Sequence, residues 1–143
     1  MCKLDKNYIS DLIRDITDGL NEIRDILKLD LKEVITNRRI KFSLRYSIIL
    51  VAESASDLGL YILRKCLGVD ARTYREVFDR LATNNVISPK VAEGMKNLVA
   101  LRNIVVHRYW EVDDTRIYRG SFNGVSIAEN YIREVLDYVS KDP

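Results

Sequence analysis

Residues 6–28 read KNYISDLIRDITDGLNEIRDILK, and the spacing of their apolar side chains decides the class of fold. Apolar residues recur here every three or four positions, which places them on one face of a helix with charged and amide side chains opposite. The members of this face are Ile9, Leu12, Ile13, Ile16, Leu20, Ile23 and Leu27. The pattern predicts a long first helix over residues 6–28 that buries one face against other helices.

Four more helices are predicted beyond a short polar connection at residues 29–37. The second should cover residues 39–66, and its centre, residues 48–52, is apolar on every side. A helix of that kind is buried on more than one face, either inside the bundle or against a partner subunit. The third, fourth and fifth begin at N-terminal capping signals, TYRE at 73–76, SP at 88–89 and SIAE at 126–129. Three glycines are interpreted as breaks between helices: Gly68, Gly120 and Gly124.

Composition agrees with an all-α fold in one domain. The chain has 143 residues, of which 47% are apolar and 31% charged, and no segment alternates with the period of a strand. We therefore predict an antiparallel bundle of about five helices in a single domain over residues 1–143. The N-terminus lacks the apolar stretch of a signal peptide, and no apolar run approaches the roughly 20 residues that span a bilayer. We expect a cytoplasmic protein with no membrane partner.

Cysteine, histidine and arginine usage narrows the classes of site. Cys2 and Cys66 lie far apart in sequence and the chain has one histidine, so we expect no zinc site and no disulfide framework, with Cys66 a buried thiol. The net charge of +2 argues against a generally polybasic nucleic-acid binder. Arginines nevertheless cluster at 38–45 and at 102–119, and these clusters are either solvated surface or a strip that faces phosphates.

The end of the fourth helix carries the residues of greatest chemical interest. Arg102 falls on the apolar stripe of this helix, and burying an unpaired guanidinium costs several kcal/mol, on the order of magnitude known for buried charges. We predict that Arg102 pairs with a carboxylate or faces a cleft that binds an anion. Asn103 and His107 are four residues apart and share a face. Arg102 and His107 are separated by about 140° on an ideal helix, so they converge only where the helix bends or ends.

This set of side chains suits a phosphodiester. An arginine donates to phosphate oxygens, a histidine moves a proton near neutral pH, and an asparagine orients its neighbours. RNA supplies its own nucleophile in the 2′-OH. The alternative of a purely structural role also stays open, with the histidine capping the helix and the arginine in a structural ion pair. Glu53 and Asp57 interrupt the apolar second helix, and they are either supporting residues of the site or part of a polar surface patch.

The segment Arg102-Asn103-x3-His107-x-Tyr109 resembles the Arg-x4-His-x-Tyr motif of HepT-like proteins, which belong to the HEPN superfamily of helical ribonucleases. Residues 74–78, 85–88 and 107–113 resemble the family as well. The resemblance implies a homodimeric toxin that cleaves RNA without a metal or cofactor. It implies a nucleotidyltransferase (MNT) antitoxin that transfers AMP to the motif tyrosine. Carried over to this chain, Arg102 and His107 are catalytic, Asn103 supports them and Tyr109 is the modified residue.

Three hypotheses follow for the function. The first is an RNA-cleaving toxin, the second a non-catalytic helical dimer that binds a nucleotidyltransferase, and the third a nucleotide-binding bundle with no toxin role. One chain carries one histidine, whereas cleavage by the 2′-OH benefits from both an acid and a base. The first hypothesis therefore favours a composite site in which two His107 side chains meet at a two-fold seam.

Overall fold

The computed structural model of the protein describes residues 2–107 and 111–141. Within these residues the chain forms six α-helices and one π-helical turn, and it forms no strand. The helices are α1 (Lys6–Ile26), α2 (Leu31–Thr36), α3 (Arg38–Ile62), α4 (Tyr74–Thr83), α5 (Pro89–His107) and α6 (Asp114–Lys141), and the π-helical turn is Leu63–Leu67. The all-α bundle predicted from the sequence is confirmed, with the short α2 added in the connection between the first two long helices.

Side-chain caps begin three of these helices, and those at Thr73 and Ser88 confirm the predicted signals. Asp5 accepts hydrogen bonds from the backbone N–H groups of Asn7 (2.9 Å) and Tyr8 (3.2 Å) and so starts α1. Thr73 accepts from the N–H of Glu76 at 3.1 Å at the start of α4. The hydroxyl of Ser88 accepts from the third residue of α5 at 3.3 Å. Each bond satisfies a backbone donor that has no partner inside its helix, which is why these residue types fix the helix starts.

Helix α3 occupies the centre of the bundle and contacts each of the other five helices. Leu44, Ile48, Val51, Leu58 and Ile62 are all at most 1% exposed. The prediction that this helix is buried on more than one side is thereby confirmed. The continuous helical stretch Arg38–Leu67 is long and apolar enough to cross a membrane by length and composition alone, yet 61% of its most apolar window is buried inside the bundle. Core helices of soluble proteins commonly combine these properties.

Helix α6 corrects the predicted start of the last helix. It begins at Asp114, twelve residues before the capping signal at Ser126, and Gly120 and Gly124 lie inside it. These glycines allow α6 to approach α5 closely, because a Cβ atom at Gly120 would lie 2.8 Å from Leu101 and one at Gly124 would lie 3.0 Å from Leu98. Packing across the α5–α6 contact therefore explains two glycines that the sequence analysis interpreted as breaks. Gly68, with φ of +63°, does end a helix.

The cysteines require a second correction. Cys2 and Cys66 form a disulfide, so Cys66 is not a free buried thiol. The N-terminal segment returns along the bundle to the π-helical turn that follows α3, where the backbone N–H of Asp5 also donates to the hydroxyl of Tyr61 at 2.6 Å. A sequence separation of 64 residues gave no sign of this proximity. The bond attaches the beginning of the chain to the end of the central helix.

Candidate active site

Arg102 lies in the last two turns of α5, facing α3. Its Nε and Nη2 atoms donate to the same carboxylate oxygen of Glu53, at 3.1 Å and 2.8 Å. The Arg102 side chain is 16% exposed and that of Glu53 is 37% exposed. The prediction that Arg102 pairs with a carboxylate is confirmed, and Glu53 of α3 is that carboxylate.

Two further contacts fix the plane of the guanidinium. Its Nη1 atom donates to the side-chain oxygen of Asn103 at 3.0 Å, and its Cζ atom lies 4.9 Å from the centre of the Tyr74 ring. A guanidinium carries five N–H groups, and three of them are used by Glu53 and Asn103. Among the described residues one N–H on each terminal nitrogen of Arg102 has no partner. A phosphate oxygen pair is the ligand that such a rigid fork binds best.

His107 is the last residue of α5, and its side chain is exposed. Together with Asn103 and Arg102 it lines a depression of about 480 Å³ whose opposite wall is the start of α4, residues 72–75. His107 lines the same depression as the guanidinium despite the angle between the two positions on the helix. The structure thus brings together Arg102, Asn103 and His107.

A second depression of about 500 Å³ lies on the other side of the same residues. Asn103 and His107 line it together with Arg75, and its far wall is the beginning of α6 at Asp113 and Arg116. His107 therefore stands between two adjoining depressions. Arg75 borders both depressions, and neither its position nor that of Tyr74 was singled out as a site residue from the sequence. Tyr74 lies in the stretch 74–78 that resembles the family, but its spacing gives no sign of a contact with Arg102.

Asp57 is one turn of α3 beyond Glu53, and it borders a different depression with Tyr8 and Tyr61. Partial burial, followed by the negative charge of Glu53, raises the pKa of the Asp57 carboxyl. Burial also raises the pKa of Tyr74, with the charges of Glu53 and Asp57 adding to the effect and Arg102 opposing it. Glu53 thus contacts the guanidinium directly, whereas Asp57 does not contact it and borders a different depression.

Each arginine cluster has one member in an ion pair that joins α3 to another helix, Arg102 with Glu53 in the second cluster. Arg45 of the first cluster donates to both carboxylate oxygens of Asp114, at 2.8 Å and 2.7 Å, and this ion pair joins α3 to the first residue of α6. Arg116 of the second cluster borders the depression beside His107. Tyr109, the predicted modified residue, and Arg108 lie outside the described residues. In the ranges that the structure covers, no group of three or more His, Cys, Asp or Glu side chains is arranged to hold a metal ion.

Comparison with known proteins identifies relatives over most of the chain. A family model described as "Ribonuclease HepT-like" matches residues 16–135. The mRNA nuclease HepT of Shewanella oneidensis is 36% identical over 77 residues, which is 50% of this chain and 57% of the relative. The tRNA nuclease HepT of Aphanizomenon flos-aquae is 24% identical over 90 residues, covering 63% of this chain and 61% of the relative. The matched regions thus span about three fifths of the length of these two curated relatives.

A solved structure shares the fold. The tri-AMPylated HEPN toxin of Shewanella oneidensis, in complex with MNT antitoxin, superposes with a TM-score of 0.82 at 22% identity. The match covers 91% of this chain and 97% of that toxin chain. At this identity the likeness establishes the architecture, and the helical arrangement described above is shared with that structure.

Proposed function

The chain belongs to the ribonuclease HepT-like family, and from this premise we propose that it is the toxin of a HEPN–MNT toxin–antitoxin pair and a metal-independent endoribonuclease. The proposal rests on one observation, the contacts made by the Arg102 guanidinium and the N–H groups that these contacts leave free. Glu53, Asn103 and Tyr74 hold its guanidinium in place, two of its N–H groups remain for phosphate oxygens, and His107 borders the same depression. This is the minimum that cleavage by an internal nucleophile requires.

In the proposed reaction the 2′-OH of a ribose attacks the adjacent phosphorus. A bond forms between O2′ and phosphorus, the bond between phosphorus and O5′ of the next nucleotide breaks, and a 2′,3′-cyclic phosphate remains. One imidazole accepts the proton of the 2′-OH, and an acid donates a proton to the departing O5′. Arg102 stabilises the negative charge that grows on the non-bridging oxygens. Asn103 and Glu53 are positioning residues, because they act by holding the guanidinium.

A homodimer supplies the second proton carrier. His107 is the one histidine of the chain, and it is exposed at the end of α5, so a second copy has access to it. We propose a composite site in which the two His107 side chains serve as base and acid. A purified heterodimer of one wild-type and one His107→Ala subunit tests this arrangement. A site that needs both His107 side chains predicts a heterodimer as inactive as the His107→Ala homodimer, and a heterodimer that keeps about half of the wild-type activity contradicts it.

Cleavage of RNA in the presence of EDTA tests the proposed reaction itself. The wild type should cleave RNA and leave a cyclic phosphate, and His107→Ala should lower the rate by at least about a hundredfold, the usual contribution of general acid–base catalysis. An Arg133→Gln variant is the control, because Arg133 is an exposed residue of α6 that borders neither depression. Cleavage that requires added metal, or that survives in His107→Ala, would contradict the mechanism.

Regulation by a nucleotidyltransferase is the second part of the proposal. Tyr109 is two residues beyond His107, and the relative of known structure is described as tri-AMPylated and in complex with MNT antitoxin. An AMP group on Tyr109 would bring a bulky anion close to His107, where it repels RNA and competes for Arg102. We place this chemistry in the cytoplasm, where RNA and ATP are both present. If Tyr109→Phe toxin is neutralised by the partner as fully as the wild type, modification of this residue is not the mechanism.

The pairing of Arg102 with Glu53 also favours a second candidate, a non-catalytic helical dimer that binds a nucleotidyltransferase partner or a nucleotide. In that case the ion pair is structural, and the wild type binds its partner tightly but cleaves no RNA. A third arrangement, a nucleotide-binding bundle without a partner, predicts saturable mononucleotide binding alone. The EDTA assay separates the first candidate from both of these.

A further inference from the structure

A groove between α5 and α6 continues from the candidate active site. It has a volume of about 670 Å³, and we call it the α5–α6 groove. Its walls include Asn97 and Ala100 from α5 and Arg116, Arg119 and Asn123 from α6. The groove shares three residues with the depression beside His107, namely Ala100, Asp113 and Arg116. The two therefore form one continuous surface channel.

Helical geometry gives the length and the lining of this channel. On α5, residues 97, 100, 103 and 107 follow one another at spacings of three and four, so they share one face of the helix. Residues 116, 119 and 123 do the same on α6. Ten residues separate Asn97 from His107, which corresponds to about 15 Å along the helix axis. The channel is thus longer than one nucleotide, and its polar side chains stand at intervals along both walls.

Charge along the channel favours a polyanion. Six arginines of the described chain are paired with carboxylates: Arg14, Arg24, Arg45, Arg64, Arg80 and Arg102. Seven others form no ion pair within the part of the chain that the structure describes, and three of these line the channel: Arg75, Arg116 and Arg119. Glu111 and Asp113 are the carboxylates that face the channel near His107. The Asp113 carboxylate already accepts a hydrogen bond from the backbone N–H of Arg116 at 3.1 Å.

The remaining lining residues suit nucleotides better than a protein surface. Asn97 and Asn123 are exposed, and each amide has both a donor and an acceptor, as the edges of bases do. The floor is formed by Leu98 and Leu101 together with small residues, and such an apolar floor accepts the face of a base. Channels that bind single-stranded nucleic acid combine basic walls that follow the backbone with surfaces on which bases lie.

We propose that the α5–α6 groove binds the nucleotides of single-stranded RNA that flank the cleaved bond, with Arg116 and Arg119 contacting phosphates and Asn97 and Asn123 contacting base edges. The inference rests on the proposed ribonuclease function, because it places the cleaved phosphate beside His107. It adds residues that determine where on an RNA the cleavage occurs. Relatives with the same catalytic motif and different residues along this groove would then select different RNAs.

The test measures binding rather than cleavage, so that it stands apart from the test of the reaction. In a His107→Ala background, Arg116→Gln/Arg119→Gln protein is compared with the parent for affinity to a dye-labelled single-stranded RNA by fluorescence anisotropy at several salt concentrations. We expect the affinity at low salt to fall by about tenfold or more. Because two phosphate contacts are lost, the slope of log affinity against log salt should decrease by about 1.4. The matched control, Arg14→Gln/Arg133→Gln, removes the same net charge outside the groove and should change neither quantity.

A second variant examines the base contacts. Asn97→Ala/Asn123→Ala should flatten the preference among homopolymeric RNAs while leaving the salt slope unchanged. RNA binding that depends on the groove in a protein that cleaves no RNA supports this inference and overturns only the proposed reaction. Equal RNA affinity of the arginine variant and its parent overturns the inference. So does a loss of binding to a nucleotidyltransferase partner with RNA affinity retained, which would make the groove a protein-docking surface.

Discussion

Replacement of Glu53 by Gln is the sharpest test of how the site works. The carboxylate accepts two hydrogen bonds from Arg102, at 3.1 Å and 2.8 Å, and each hydrogen bond to a charged group contributes about 1.5–3 kcal/mol. Glu53 is 37% exposed, so solvent screens part of this interaction, and Gln keeps one acceptor oxygen. We therefore take about 1.5 kcal/mol as the loss of alignment, which corresponds to about a tenfold fall in kcat.

The direction of the change in KM distinguishes a positioning role of Glu53 from a purely electrostatic effect of its charge. Removing a negative charge beside Arg102 makes the site more attractive to phosphate, so KM should stay constant or fall while kcat falls. Single-turnover cleavage of RNA in EDTA, measured over a range of protein concentrations, gives both quantities. Glu129→Gln is the control, because it makes the same chemical change in an exposed ion pair, with Arg24 at 2.9 Å, that lies elsewhere. A kcat for Glu53→Gln equal to that of the control, or a rise in KM alone, would refute the positioning role.

Three further predictions concern stability, measured by urea unfolding. Reducing the Cys2–Cys66 bond, which closes a loop of 64 residues, should lower the free energy of unfolding by about 4 kcal/mol on the chain-entropy estimate, whereas a Cys2→Ser/Cys66→Ser variant should not respond to reductant. Since burial raises the pKa of Asp57, its charged form opposes folding, so wild-type stability should decline as pH rises through the range just above the ordinary aspartate pKa. Asp57→Asn should lose this component, and an unchanged pH profile would contradict the assignment. Gly94→Ala should cost about 1–3 kcal/mol, because the added methyl overlaps a side chain of α6, and Glu93→Ala at the exposed neighbouring position should have little effect.

The sequence predicted those parts of the fold that depend on local pattern. The stripe over residues 6–28 and the caps at Thr73 and Ser88 gave α1, α4 and α5 with small errors at the ends. The start of α6 was predicted too late because a glycine such as Gly120 and a capping signal such as that at Ser126 also occur inside helices. The proximity of α5 explains the glycine. Contacts between segments that are distant in sequence leave no signature in a local pattern, and the disulfide was missed for the same reason.

The site divides in a similar way. Placing Arg102 on an apolar stripe predicted a carboxylate partner, and the polar interruption of α3 indicated where to find it. Tyr74 and Arg75 reach the site from the start of α4, and neither was singled out as a site residue from the sequence. The α5–α6 groove arises from two helices whose relative position is set by small residues at their contact. Residues on α5 and the polar interruption of α3 were thus predictable, whereas the contributions of α4 and the α5–α6 groove were found only in the structure.

The central position of α3 has a consequence for how the proposed activity is controlled. This helix carries Glu53, which holds Arg102, and Arg45, which anchors the first residue of α6, and it ends at the disulfide-bonded turn. The amide hydrogens around Glu53 should therefore exchange with solvent only when the whole molecule unfolds. A cell that relied on local melting to silence this protein would have to unfold all of it. Inhibition would instead come from molecules that cover the site or modify it chemically while the fold stays intact. Removing such an inhibitor or modification would restore the protein without refolding.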